Sequence, residues 1–321
     1  MEILLFIVGI LLILLGATWL VDGASGIARK FGLSEFLIGV TIVGIGTSTP
    51  EMVVSFIAAI KGNADISIGN ITGSNIFNTL FILGATALVA PITFTSGNIK
   101  RDVPIAMGAS FLVLLMALDT VIWGGNVNMI GRFDGIILLI CFGIFLLHSF
   151  RHDDKNVSVI EDTQISDKSK DRKPIANIIL IIIGLAGLIY GGNLFVDSAT
   201  VIAGKLGVSD AIIAVTIMAG GTSLPELATC IVAALKKRGQ MALGNVLGSN
   251  VSNILLIIGG SAVITPQTMG KVTFLSLFVM AFVSILIFVT AFTFKKKQLD
   301  RWEGLLFLIL YIAYIYAIIQ I

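Results

Sequence analysis

The sequence of 321 residues has little charge, cysteine or histidine. Only 12% of its residues are charged, whereas 56% are hydrophobic. Soluble domains carry about 25% charged residues, so this composition excludes a soluble globular protein, and the net charge of +2 gives no support to a nucleic-acid partner. Two cysteines and two histidines make a zinc or haem centre a poor interpretation. A mean hydropathy of +1.02 predicts an all-α polytopic membrane protein, for which we expect no cofactor and no enzymatic activity.

Long apolar runs are what the sequence has in abundance. A helix needs about 20 apolar residues to cross a bilayer. This criterion gives ten predicted spans, near 3–20, 36–60, 70–92, 103–118, 133–150, 175–195, 211–235, 245–265, 273–294 and 303–320. The first span follows Met-Glu-Ile without a basic region, and we interpret it as a retained helix rather than a signal peptide. The polar segment 151–174 is predicted to be a linker between two halves.

The basic residues are distributed unevenly between the two predicted faces. Seventeen of them fall on one face, in four short loops and in the segment 151–174, and four fall on the other. Cytoplasmic loops carry the excess of Lys and Arg. The linker 151–174 is therefore predicted to be cytoplasmic, and both termini extracellular.

The sequence repeats itself after 175 residues. The segment 46–51, Gly-Thr-Ser-Thr-Pro-Glu, matches 221–226, Gly-Thr-Ser-Leu-Pro-Glu, and 73–78, Gly-Ser-Asn-Ile-Phe-Asn, matches 248–253, Gly-Ser-Asn-Val-Ser-Asn. The copies begin five spans apart, so the second copy enters the membrane with the opposite orientation. We predict two inverted five-helix repeats, 1–150 and 175–321, with the duplicated motifs within 36–92 and 211–265. Inverted repeats are typical of secondary transporters with a midplane site.

Two glutamates lie deep within predicted spans. Glu51 and Glu226 occupy spans two and seven, whereas the other acidic residues fall in loops or at span ends. A charged acidic side chain at a helix centre costs about 2.5–3.5 kcal/mol on insertion scales, and no Lys, Arg or His lies at similar depth. Either these carboxyls are protonated and hydrogen-bonded across helices, or a mobile cation balances their charge.

The residues around the glutamates are oxygen donors. Pro50 is expected to free the carbonyl of Gly46 and, through the same kink, that of Thr47, and Pro225 repeats the pattern. Carboxylates, carbonyls, hydroxyls and amides form the oxygen shell that Ca2+ takes, and Na+ uses similar oxygens. The polar side chains of spans three and eight stand four residues apart and share one helix face, Ser74 with Asn78 and Ser249 with Asn253.

Other small and polar residues of the motifs are interpreted structurally. Gly69, Gly73, Gly244 and Gly248 form small-residue steps that are expected to let helices pack closely. The remaining asparagines are expected to brace the broken helices. They are Asn70, Asn75, Asn245 and Asn250.

The duplicated motifs resemble the α-repeats of the sodium/calcium exchanger family, within the cation/calcium antiporter superfamily. The resemblance covers the whole chain and is closest to members that lack the large regulatory loop, since the central segment is short. It implies an antiporter in the plasma membrane that works by alternating access, in which Na+ entry drives Ca2+ extrusion. Both Asn78 and Asn253 are amides, which favours a potassium-independent exchanger. We expect the protein to function as a monomer in the lipid bilayer.

The resemblance also implies a set of ion ligands. The implied Ca2+ ligands are the carboxylates of Glu51 and Glu226 and the carbonyls of Thr47 and Thr222. The implied Na+ ligands are Ser48, Ser74, Ser223 and Ser249 with the carbonyls of Gly44 and Ala219, and Asn78 and Asn253 would line the central position.

The substrates, Ca2+ and Na+, are expected to compete for one site. A Ca2+/H+ antiporter that uses the same carboxylates is the alternative within transport. A cation channel is a further alternative, although channels are usually built by subunit symmetry. An intramembrane hydrolase would need an Asp pair, a Ser–His pair or a metal centre, and the predicted spans contain none of these.

Overall fold

The computed structural model describes residues 1–118, 120, 127–153, 172–206, 219–293 and 297–320. Within these ranges the chain is nearly all helical. The α-helices before residue 152 are α1 (Glu2–Phe31), α2 (Glu35–Ile38), α3 (Gly44–Thr47), α4 (Thr49–Ile60), α5 (Ala64–Ile76), α6 (Leu83–Val89), α7 (Val103–Met116) and α8 (Arg132–Arg151). Those that follow are α9 (Pro174–Lys205), α10 (Ala219–Gly221), α11 (Leu224–Leu235), α12 (Gly239–Ser252), α13 (Gly259–Ile264), α14 (Lys271–Thr290) and α15 (Arg301–Ile319).

Wider π-helical turns interrupt several of these helices. They span Gly39–Val43, Phe77–Ile82, Asn98–Asp102 and Asn253–Ile258. Turns of this type are frequent at functional sites because they redirect side chains without ending the helix. Two of them start at or beside Asn78 and Asn253, the amides of the duplicated motif.

Four two-residue strands form two small antiparallel pairs at the ends of helices. Strand β1 (Ile92–Thr93) pairs with β4 (Gln298–Leu299), with Ile92 opposite Leu299. Strand β2 (Met129–Ile130) pairs with β3 (Gln267–Thr268), with Ile130 opposite Gln267. Each pair therefore joins residues before α15 or α8 to the end of a helix from the other half of the chain.

Seven helices are long and apolar enough to cross a membrane, or up to eight if the bent pair Glu35–Thr47 and Thr49–Ile60 is one span, within the described residues. This confirms a multi-pass membrane protein. The other two predicted spans are near 103–118 and 211–235. Helix α7 has only 14 residues and follows a turn that carries Lys100, Arg101 and Asp102. For the other, residues 211–218 lie outside the described ranges, which leaves the short helix α10 and the 12 residues of α11.

Helices α1 and α9 pack against each other through glycines that bring their backbones together. A methyl group added at Gly184 would lie 2.6 Å from the nitrogen of Leu20 and 2.8 Å from the oxygen of Gly16. One added at Gly191 would lie 2.9 Å from the oxygen of Gly9. Small residues at such positions are how membrane helices gain close contact. The α1–α9 pair is therefore interlocked along much of its length.

Adjacent glycines in α9 test this packing. We expect Gly191→Ala to destabilise the protein by about 1–3 kcal/mol because the new methyl group would overlap the backbone of α1. We expect Gly192→Ala to be neutral or slightly stabilising, since no atom lies within 4 Å of its added methyl group in the described structure. Thermal unfolding of the two purified variants in one detergent measures the difference. Equal midpoints would contradict the interlocked packing.

Contacts between loops bring the predicted basic face together at one end of the molecule. The Oδ2 atom of Asp153 accepts a hydrogen bond from the backbone of Ser34 at 3.0 Å. Arg238 pairs with Glu35 at 2.5 Å. Further contacts at this end join Arg101 to the carbonyl of His152, Lys236 to Asp22, and Lys297 to Ser96. The loops that hold these basic residues therefore share one end of the bundle.

Candidate cation site

The two glutamates stand at breaks in their helices. Glu51 lies in the first turn of α4, where the chain bends by 48° after α3. Glu226 lies in the first turn of α11, after Pro225. Proline is tolerated at a helix start because the missing N–H would have no partner there. The positive end of the helix dipole favours an anion in the first turn, by about 0.3–1 kcal/mol at exposed sites. The breaks thus place both carboxylates at helix N-termini.

One expectation about freed carbonyls is wrong. The carbonyl of Gly46 is not free, because the hydroxyl of Thr49 donates a hydrogen bond to it at 2.7 Å. A threonine hydroxyl can reach back to the preceding turn in this way. The second copy has Leu224 at the equivalent position and has no such hydroxyl. In contrast, no backbone hydrogen bond reaches the carbonyls of Thr47 or Thr222 from any residue that the structure describes.

Each glutamate accepts a hydrogen bond from the serine of the other motif. The hydroxyl of Ser223 donates to Oε1 of Glu51 at 2.8 Å. The hydroxyl of Ser48 donates to Oε1 of Glu226 at 3.1 Å. These bonds are equivalent under the 175-residue shift, and each crosses between the two motifs. Glu51 therefore lies beside the second motif, and Glu226 beside the first.

The second oxygen of each carboxylate has no partner. Both glutamates are fully buried, and Oε2 of Glu51 and Oε2 of Glu226 make no hydrogen bond. No described Lys, Arg or His forms an ion pair with either one. A buried polar oxygen without a partner costs about 1–3 kcal/mol, and more if it is charged. Two such oxygens in facing motifs indicate a place for a ligand that supplies positive charge.

The serines of spans three and eight reach this site in different ways. Ser74 donates to Oε1 of Glu51 at 3.4 Å. Ser249 instead donates to the carbonyl of Gly44 at 3.1 Å. Both serines are buried. The structure thus brings two pairs of predicted ligands into contact. Ser74 meets the carboxylate of Glu51, and Ser249 meets the carbonyl of Gly44.

The asparagines of the same helices form crossed amide contacts. Nδ2 of Asn78 donates to Oδ1 of Asn250 at 3.2 Å, and Nδ2 of Asn253 donates to Oδ1 of Asn75 at 2.9 Å. The Oδ1 atoms of Asn78 and Asn253 are buried without a partner. Because the NH2 groups of Asn78 and Asn253 are both hydrogen-bonded to the opposite motif, their Oδ1 atoms are left available to bind a cation. Asn75 and Asn250 were expected only to brace the broken helices, and their repetition in both motifs was the signal in the sequence for this orienting role.

Two further asparagines hold the helix breaks. Nδ2 of Asn70 donates to the carbonyl of Glu51 at 3.3 Å, and Nδ2 of Asn245 donates to that of Glu226 at 3.5 Å. Asn245 also accepts a hydrogen bond from the hydroxyl of Thr47 at 3.2 Å. These contacts agree with the expected bracing role.

Two predicted ligands of the second motif lie at the edge of the described chain. The hydroxyl of Thr222 is buried and has no partner, although the residue as a whole is half-buried. Ala219 begins the short helix α10, directly after the undescribed residues 207–218. The structure therefore describes Thr222 within the second motif, whereas for Ala219 it gives only the position of the backbone.

The predicted small-residue steps differ between the two motifs. A methyl group added at Gly244 would lie 2.4 Å from the oxygen of Phe36, and one at Gly248 would lie 2.3 Å from the oxygen of Val40. Close packing is confirmed there. At Gly69 and Gly73 no described atom lies within 4 Å of the added group. The segment equivalent to 36–40 is 211–215, which lies outside the described residues.

An apolar helical bundle that buries two unpaired carboxylates among neutral oxygens defines a membrane transporter of small cations. A sequence profile described as "Sodium/calcium exchanger protein" matches residues 1–151 and 176–320. The chain belongs to the sodium/calcium exchanger family, and it lacks a large regulatory loop. It is a multi-pass membrane protein of the cation/Ca2+ antiport type. The members of this family are exchangers, in agreement with the expectation that the chain is not an enzyme.

Relatives with similar sequences cover nearly the whole chain. An uncharacterised membrane protein of Methanocaldococcus jannaschii is 36% identical over 311 residues, which are 96% of this chain and 94% of that protein. The sodium/calcium exchanger MaX1 of Methanosarcina acetivorans is 30% identical and covers 99% of this chain and 98% of its own. A solved structure of the sodium-calcium exchanger NCX_Mj, soaked with Na+ and Ca2+, superposes with a TM-score of 0.82 at 33% identity, over 98% of this chain and 97% of that one.

Proposed function

We propose that this protein exchanges Na+ for Ca2+ by alternating access across the plasma membrane, with Na+ entry driving Ca2+ extrusion. The observation that carries the proposal is the pair of buried carboxylates, Glu51 and Glu226, each with an unpartnered oxygen and no cationic partner among the described residues. Oxygen ligands of this kind suit hard cations. The solved structure of NCX_Mj supports the choice of ions, since that exchanger was soaked with Na+ and Ca2+.

The proposed Ca2+ ligands are the two carboxylates and the carbonyls of Thr47 and Thr222. The absence of backbone hydrogen bonds to those carbonyls from described residues supports the assignment. Flanking Na+ sites would use the hydroxyls and carbonyls that already surround the carboxylates. They are Ser48, Ser74, Ser223, Ser249, Gly44 and Ala219. Asn78 and Asn253 would line the central position through their unpartnered Oδ1 atoms.

Charge balance couples the two fluxes in this proposal. An empty site with two carboxylates is costly to carry through an apolar barrier. One Ca2+ or several Na+ ions neutralise it, but the shared oxygens cannot hold both sets at once. Only a neutralised site switches between facing the outside and facing the cytoplasm. Ca2+ must therefore leave the site before Na+ ions are carried back, and the reverse. Because both glutamates are fully buried, their uncompensated charge would be costly in the empty site.

The α1–α9 pair is the proposed moving element. Its helices are interlocked with each other through backbone contacts. The contacts of α9 with the helices that hold the site are different, because they are made by apolar side chains. Leu185 contacts Gly46, and Val196 contacts Gly221. Helices that meet through apolar side chains can slide past each other at a lower energetic cost than helices whose backbones interlock. We propose that the pair moves over the helices that hold the site.

The proposal includes two inverted repeats, 1–150 and 175–321, joined by a cytoplasmic linker at 151–174, with α-repeats at 36–92 and 211–265. Hydrogen bonds that recur after 175 residues support it, such as Ser48 to Glu226 and Ser223 to Glu51. The shared end of the basic loops supports a cytoplasmic face there, which leaves both termini outside. We propose that one chain forms the whole transport path, so that the monomer is functional.

Uptake of 45Ca2+ into proteoliposomes tests the counter-ion. We expect vesicles loaded with Na+ and diluted into Na+-free medium to accumulate Ca2+, and a protonophore to leave this uptake unchanged. A Na+ ionophore should abolish it. Uptake that follows an imposed pH gradient without Na+ would establish Ca2+/H+ exchange instead. Ohmic current without any counter-ion gradient would establish a channel.

A further inference from the structure

A cavity of about 600 Å³ lies at the basic end of the bundle, and none of its described lining residues is a predicted ion ligand. It opens between the start of α7, the end of α14 and the β1–β4 pair. Its walls include Ile99, Phe288 and Phe292, while Lys100, Lys297 and Ser96 supply polar groups. Ligand pockets typically enclose roughly 300–1,000 Å³ and combine an apolar lining with a few polar groups. The cavity therefore has the size and composition of a ligand site.

The polar groups of this cavity are held in place by the backbone around them. Lys297 has a left-handed backbone, with φ of 61°. Its carbonyl accepts a hydrogen bond from Phe94 at 2.8 Å, and its N–H donates to the carbonyl of Ala291 at 2.9 Å. Its ammonium lies 3.3 Å from the hydroxyl of Ser96. The hydrogen bonds of its backbone thus fix the turn that carries Lys297, and its ammonium lies next to the hydroxyl of Ser96.

The charge of the cavity is positive. No acidic residue is among its described lining residues, which include two lysines. The nearby carboxylate of Asp102 is held by Arg101 at 2.7 Å and by Asn98 at 3.1 Å. It is therefore engaged and does not neutralise the lysines. Lysine binds phosphate as a point charge, and basic pockets beside membrane helices bind anionic lipid headgroups.

We propose that this cavity binds an anionic phospholipid, such as phosphatidylglycerol, with its phosphate at Lys100, Lys297 and Ser96. The acyl chains would lie along the aromatic wall, where the rings of Phe288, in α14, and Phe292, just after that helix, have centroids 5.1 Å from each other. A soluble anion would satisfy the lysines but not this wall. On the proposed orientation the lipid belongs to the cytoplasmic leaflet.

The test is a lipid titration of the purified full-length protein in detergent. Phosphatidylglycerol is compared with phosphatidylcholine and with glycerol phosphate, and binding is read from the rise in the unfolding midpoint. We expect the first to stabilise at the lowest concentration. Each lysine near an anionic headgroup contributes about fivefold in affinity, so Lys100→Gln with Lys297→Gln should weaken this binding by roughly 25-fold. The variant's midpoint without lipid checks that it is folded.

A matched control removes the same charge elsewhere. Lys30 and Lys237 are exposed on the same basic end and outside the cavity, so Lys30→Gln with Lys237→Gln should leave the titration unchanged. An equal loss in this control would overturn the proposal, because the effect would then be general electrostatic attraction. Equal stabilisation by glycerol phosphate would show a free-anion site, and equal stabilisation by phosphatidylcholine would show an apolar one. Either result also overturns it.

Discussion

Glu51→Gln and Glu226→Gln should each abolish Na+-driven Ca2+ uptake. Each glutamine keeps the shape of the side chain but removes one of two buried negative charges. Loss of one partner from a buried, charge-balanced site costs about 3–5 kcal/mol. Since each 1.4 kcal/mol is about tenfold in affinity, Ca2+ binding should weaken by more than about a hundredfold. The cross-motif hydrogen bonds from Ser223 and Ser48 predict that both variants fail equally.

Initial rates of 45Ca2+ uptake at several Ca2+ concentrations measure this effect. Glu2→Gln is the matched control, because Glu2 lies in the first turn of α1 and is not among the predicted ion ligands. The control should transport normally. Glu51→Asp retains the charge on a shorter side chain and should transport weakly rather than not at all, which separates loss of charge from misfolding. Normal exchange by Glu51→Gln would refute the proposed site.

Gly248→Ala should both destabilise the protein and impair transport. The added methyl group would lie 2.3 Å from the oxygen and 2.5 Å from the Cα atom of Val40, so backbone must move. Overpacking of this kind costs about 1–3 kcal/mol. Residue 249 follows directly, and its hydroxyl is 3.1 Å from the carbonyl of Gly44. Displacement of α12 should therefore also weaken the proposed Na+ site.

The same substitution at Gly73 is the matched comparison in the first motif. No described atom lies within 4 Å of a methyl group added at Gly73, so Gly73→Ala should change stability and transport far less than Gly248→Ala. Gly108→Ala is a second control for the same reason, since alanine also favours a helix. Unfolding midpoints and uptake rates of the three variants measure the difference. Equal damage by Gly73→Ala would contradict the close contact assigned to Gly248.

Much of the candidate site could be predicted from the chain alone because its signals are local. Hydropathy indicated a membrane protein, and Glu51 and Glu226 stood out as acids without a cation at similar depth. The helix breaks beside them followed from proline. Helix ends were less predictable: α1 continues to Phe31, beyond the predicted limit at 20, because Gly23 and Gly26 remain helical and pack on Asn177.

Other features required the arrangement of distant residues. Pro50 was expected to free the carbonyl of Gly46, but nothing in the local sequence indicated that the hydroxyl of Thr49 would occupy that carbonyl. The sequence also does not distinguish which of the four motif glycines, Gly69, Gly73, Gly244 and Gly248, make close contact with another helix. Only Gly244 and Gly248 do so among the described atoms.

The sequence by itself determined the class of protein, the duplicated motifs and the two acids that lack a fixed counter-charge, since composition and repetition are properties of the chain. Only the tertiary structure decided which oxygens remain open to a cation. The serine of each motif bonds the glutamate of the other across 172 or 178 residues of sequence, and the amides of Asn78 and Asn253 are oriented by partners equally remote. Hydrogen bonds between residues so far apart arise only when the helices pack.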